Sequence, residues 1–128
     1  MEKIKIAIKG NRIALLGNIE LVAGTVGQPC EFYFDDAWKS LQKVITYKLG
    51  SNIIGSYDII DNKTTIPEQV LKTAGLPLSI GVVGRSDDKG FVIPTEWCPL
   101  GVVKHGAIIS PSNSSDDYNE VIYDGGSV

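Results

Sequence analysis

Histidine occurs once in the 128 residues, at position 105, methionine once and cysteine twice. One histidine and two cysteines without CxxC or HxxxH spacing do not make a tetrahedral metal set, so neither a metal nor another cofactor is expected. The same scarcity leaves little for proton transfer. His105 stands in Val103-Lys104-His105-Gly106-Ala107, with no nucleophile in local reach, and a histidine before glycine at a strand end reads as a solvated turn residue. Positive charge is also short: 12 Lys and Arg against 15 Asp and Glu give a net charge of -3, and the lysines are scattered. Nothing here would neutralise a phosphate backbone, so nucleic acid is not an expected partner. No apolar run approaches the roughly eighteen residues needed to cross a bilayer, and MEKIKIAIKGN alternates charged with apolar residues instead of forming a signal-peptide core. The expectation is no membrane partner and synthesis in a cytoplasm.

Cys30 and Cys98 are far apart in sequence, and each sits beside a proline. In a cytoplasmic product they read as small, half-buried thiols, with a Cys30–Cys98 disulfide as the alternative. What the chain does have is ordinary globular material: 43% apolar and 21% charged residues, at a length suited to one domain with one core. The composition shifts at Ser110 to Ser, Asn, Asp and Gly. A domain over 1–109 and a polar C-terminal arm over 110–128 are therefore expected.

Periodicity along the chain is that of strands. In KIKIAI, Ile4, Ile6 and Ile8 alternate with Lys5 and Ala7, and turn dipeptides Gly10-Asn11 and Gly17-Asn18 separate the runs Arg12–Leu16 and Ile19–Val22 into a meander. Further strands are predicted at Cys30–Phe34, Val44–Leu49, Ile53–Ile60, Lys63–Ile66 (pairing back on its predecessor), Leu78–Gly84, Phe91–Ile93 and Leu100–Val103. Pro67, Glu68 and Gly75 predict one short helix near residues 67–74, with Thr65 as its N-cap. About eight short, closely spaced strands predict a mainly β fold, an antiparallel β-sandwich of immunoglobulin-like or jelly-roll-like type.

The remaining chemistry reads as architecture. Asp35-Asp36, Asp87-Asp88 and Asp116-Asp117 are adjacent pairs, whose side chains would point to opposite faces of a strand and which lie in no calcium-loop pattern. Gly81-Val82-Val83-Gly84 lacks the Lys-Ser/Thr of a phosphate loop. Serines 110, 112, 114 and 115 fall in the arm, without a scaffold to position a nucleophile. No catalytic residue is assigned, and the chain is not expected to be an enzyme. Among the aromatics, Trp38 reads as an indole plugging one end of the sandwich. Trp97, in a proline-bordered segment, is a candidate partner anchor, and Tyr118, Val121, Ile122 and Tyr123 form an apolar island in the polar arm that is a second candidate contact.

Four segments in order, FxFDDxWxxLxK at 32–43, IPEQVL at 66–71, GLPLSIGVVG at 75–84 and IPTEWCPLGVVKHGA at 93–107, together resemble a small β-sandwich module of virion structural proteins from tailed phages and prophages of Gram-positive bacteria. The resemblance covers Cys30 to Ala107. It implies attachment of a fibre-like or appendage protein to the particle, and it implies no catalytic residues. Related proteins often continue into a linker and a coiled coil or receptor-binding region, whereas this sequence stops about twenty residues after the module. That favours an accessory, decoration or adaptor subunit on head, neck or tail. Its expected partners are other virion proteins and copies of itself, and its expected location is the virion. The alternative is a carbohydrate-binding sandwich that recognises a cell-surface glycan through Trp97 or Tyr57.

Overall fold

The computed structural model describes residues 1–88 and 90–107. The 110–128 arm, with Tyr118, Val121, Ile122 and Tyr123, lies outside the described residues. Strand β1 (Ile4–Lys9) buries Ile4, Ile6 and Ile8, as its period of two requires, and turns Lys5 and Lys9 outward. The Gly10-Asn11 turn, with Gly10 at φ +56°, returns the chain antiparallel as β2 (Arg12–Leu16). The chain then loops round, and β3 (Pro29–Phe34) lies parallel to β1 on its other side. β4 (Gln42–Leu49) and β5 (Asn52–Asp58) form a hairpin in a second sheet. β6 (Lys63–Thr65) returns to the first, antiparallel to β3. β7 (Pro77–Ser86) pairs with β4 along its length, while β8 (Phe91–Pro94) and β9 (Cys98–Val102) divide its other side. The sheets run β2-β1-β3-β6 and β5-β4-β7-β8, and their apolar faces meet in one core.

The chain is thus a mainly β, sandwich-like domain whose pairings are antiparallel except for β1 with β3 and a lone Val22–Lys104 bridge. Several details depart from expectation. Ile19–Val22 is not a strand: the loop buries Leu21 and spends its backbone groups on the chain after β9, with Lys104 N bonding Leu21 O at 2.8 Å and Ala23 N bonding Lys104 O at 2.8 Å. The pairing of Lys63 back onto the preceding strand lasts for one bridge, Ile60 with Lys63. Asp61 and Asn62 both take positive φ there, making a tight reversal, after which β6 joins the other sheet. The predicted short helix is a single 3-10 turn, Glu68–Leu71, that sinks Val70 and Leu71 into the core. It has no side-chain cap, since Pro67 precedes it and Thr65 belongs to β6.

At one end of the sandwich Asp35 caps a second 3-10 turn, Asp36–Trp38, accepting from Ala37 N at 3.2 Å, and also accepts from Gly10 N at 3.0 Å. Trp38 is fully buried and its Nε1 donates to Gly10 O at 2.9 Å. The FDDAW corner therefore locks the β1–β2 turn to the β3–β4 connection, with Phe34 packed 5.3 Å from the indole centroid. Trp38 is the end plug its sequence context suggested. Cys30 and Cys98 are free and buried, more deeply than half-buried thiols would be.

Candidate interaction surface

The link between β8 and β9 is where Trp97 stands, and it is tied down on two sides. Asn11 Nδ2 donates to Pro94 O at 2.7 Å and Glu96 N to Asn11 O at 2.9 Å, which fastens it to the β1–β2 turn. Thr95 N donates to Val82 O at 2.9 Å, and Thr95 Oγ1 accepts from Val82 N at 3.0 Å, which fastens it to β7. A proline-bordered segment thus becomes a fixed mount, and the indole it carries is 42% exposed.

Trp97 lies on the outer face of the five-stranded sheet. Ile45, Tyr47 and Leu49 of β4 point inward, so Thr46 and Lys48 point outward. Gly81 of β7 pairs with Thr46, and a Cβ at Gly81 would come within 3.2 Å of Trp97 Cε3 and Cζ3. The glycine is the seat of the indole. Lys48 Nζ stands 4.4 Å from the ring centroid, a cation–π contact. Beside it the Thr46 and Ser56 hydroxyls bond at 2.8 Å, and Ile53, opposite Lys48, is exposed. The result is a small face with one aromatic plate, one ammonium, two hydroxyls and an aliphatic margin.

That margin is a sheet edge. β5 runs seven residues, NIIGSYD, with Ile53 and Ile54 exposed and no Lys, Arg or Pro to block pairing. A register shift opposite Tyr47 and Lys48, between Gly55 and Ile53, is its one irregularity. Of the other edges, β6 is three residues long and carries Lys63, β8 ends in Pro94, β9 contains Pro99, and β2 is five residues long and opens with Arg12. β1 is an interior strand between β2 and β3 and offers no edge.

Trp38, Tyr33, Trp97 and Tyr57 are not brought together into one stacking platform. Trp38 is in the core, Tyr33 is exposed on the outer face of the other sheet, and Trp97 is on this one. Tyr57 lies half-buried on the inner side of β5, its ring 5.8 Å from Tyr47 and its Oη accepting from Gln69 Nε2 at 2.7 Å. His105 is exposed beyond β9, and Asp87 and Asp88 are exposed in the β7–β8 turn. Among the described residues no three His, Cys, Asp or Glu side chains converge to hold a metal ion, and no helix is long and apolar enough to cross a membrane. Of this surface the sequence reading named only Trp97. Gly81 inside a β-branched strand was the available signal for a bulky side chain overhead, but Lys48 and Ile53 needed the strand register. Neither a family model nor a curated protein matches the chain.

Proposed function

We propose that the chain is a non-enzymatic structural subunit of a tailed-phage virion, an accessory, decoration or appendage-anchoring protein acting through protein–protein contacts on head, neck or tail. The observation that carries the contact reading is Trp97, an aromatic fixed and exposed on a sheet face beside the unguarded β5 edge. Interface hot spots are enriched in tryptophan, and an open strand edge offers a partner a ready ladder of main-chain hydrogen bonds. The virion itself comes from the resemblance. Its four segments fall on the β3–Trp38 corner, the Glu68–Leu71 turn, β7, and the β8–β9 pair with its Trp97 mount, all parts that build the core or the proposed contact.

Mass spectrometry of purified particles from cells carrying the gene tests the assignment. The chain is expected among the particle proteins, with immunogold electron microscopy placing it on head, neck or tail. Its absence from intact particles overturns the reading. The carbohydrate alternative rests on the same exposed indole and predicts binding on a glycan array that Trp97→Ala abolishes, whereas a structural subunit binds none.

A further inference from the structure

The outer face of the four-stranded sheet carries a charge that the chain as a whole does not. Residues 108–128 contain four acids, Asp116, Asp117, Glu120 and Asp124, and no base. Residues 1–107 therefore hold all 12 bases against 11 of the 15 acids, a balance of +1 beside a segment of -4. The basic residues are concentrated by register. Lys9 lies opposite Arg12, Lys5 opposite Leu16 and Glu31, and Glu31 opposite Lys63, all pointing away from the core. Lys3 joins the same face through its 3.1 Å ion pair with Glu31. Lys5, Lys9, Arg12 and Lys63 have no ion-pair partner among the described residues. Between the Lys9–Arg12 row and the Lys5–Glu31–Lys63 row runs an apolar stripe of Ala14, Ala7 and Tyr33, and the exposed Leu16 flanks it in the row of Lys5.

We propose that the acidic segment Asp116–Asp124, DDYNEVIYD, docks along this face of its own chain. Its four carboxylates match the four unpartnered cations, and Tyr118, Val121, Ile122 and Tyr123 match the apolar stripe that divides them. Reach permits it. Gly106 abuts the Ala23 carbonyl, which ties the start of the segment to the loop that connects β2 with β3 of this sheet. The nine residues from Ala107 to Asp116 span up to about 30 Å when extended. Four strands side by side are only about 15 Å across. The sequence expectation put the apolar island on a neighbouring molecule, but proximity and charge favour the same one. This docking does not depend on the virion assignment.

Zero-length carbodiimide cross-linking of the full chain at low concentration, followed by peptide mass spectrometry of the monomer, tests the proposal. Cross-links from Lys5, Lys9 or Lys63 to Asp116, Asp117, Glu120 or Asp124 are expected. They should vanish in 1 M salt, where the screening length falls to about 3 Å. In a Lys9→Glu, Arg12→Glu chain the links at Lys5 and Lys63, amines that the substitutions leave in place, should also be lost. The Lys3–Glu31 link should persist in that variant and reports that the sheet is intact. Failure to find the segment's cross-links in the wild-type monomer, their confinement to dimers, or their survival in the charge-reversed variant overturns the proposal.

Discussion

Tyr47 has the one buried side-chain polar atom without a hydrogen-bond partner among the described residues, its Oη. A hydroxyl removed from water and given nothing in return costs free energy, so Tyr47→Phe should leave the fold as stable or raise its stability by up to about 1 kcal/mol at neutral pH. Its surroundings also make the protein alkali-sensitive. Burial, then the neighbouring Cys30 and Tyr57, raises the pKa of the Tyr47 hydroxyl and so opposes its ionisation, and burial alone pushes the Cys30 thiol from 9.0 up to about 12. Both groups are held neutral by folding and released to ionise by unfolding. Their contribution is therefore fully present below the unfolded-chain pKa and is lost as pH rises, from about 9 towards 12 for Cys30 and from about 10 upward for Tyr47. Each group can add up to about 1.4 kcal/mol of loss per pH unit in that window. Denaturant unfolding at pH 7 and pH 10 should show the drop, and Tyr47→Phe should make it shallower. A less stable Tyr47→Phe protein at pH 7 would mean that the hydroxyl has a partner, such as a bound water. In the sequence Tyr47 is a strand former and nothing more, because whether a hydroxyl finds a partner depends on residues brought near it only by folding.

Strand β7 shows how much an element can hide in a plain pattern. Leu78, Ile80 and Val82 alternate with Ser79 and Val83, and that alternation announced a strand with a buried face. Its two glycines read as a weak phosphate-loop fragment, yet each seats an indole, Gly81 under Trp97 outside and Gly84 under Trp38 inside. Their substitutions should therefore differ. A Cβ at Gly84 would stand 2.7 Å from Trp38 Cζ3 and 3.0 Å from Leu41 Cδ1, and Trp38 cannot retreat because it is fully buried and bonded to Gly10 O. Gly84→Ala is expected to cost about 1–3 kcal/mol, as overpacking of a filled core does. Gly81→Ala pushes on an exposed ring and should stay within about 0.5 kcal/mol. Equal losses in thermal or denaturant unfolding would refute the distinction. The connections between elements were less legible. Nothing in Asp61-Asn62 says that the hairpin opens after one bridge, or that β6 leaves its predecessor's sheet, because that choice is made by the free edge of β3.

At the scale of the whole molecule, period-two patterning was enough to read a sandwich, since each strand has one face that must be buried. Strand order, the parallel β1–β3 pair and the identity of the exposed edges were not readable, because they depend on how the loops cross between sheets. Those edges decide how the molecule meets others. β6 is guarded by lysine and brevity, and β8 and β9 by proline, whereas seven residues of β5 lie open beside Trp97, so the proposed contact is expected at β5. Ile53→Glu tests this without harming the fold. Ile53 is 57% exposed and lies opposite Lys48, so a carboxylate there gains a cross-strand cation while placing a charge on the edge. Unfolding stability should remain within about 0.5 kcal/mol of the parent. Sedimentation velocity over a concentration series should show the parent chain associating and the Ile53→Glu chain remaining monomeric. Equal association by the two chains would move the contact between copies away from β5, and a parent that stays monomeric throughout would reserve the edge for a different protein.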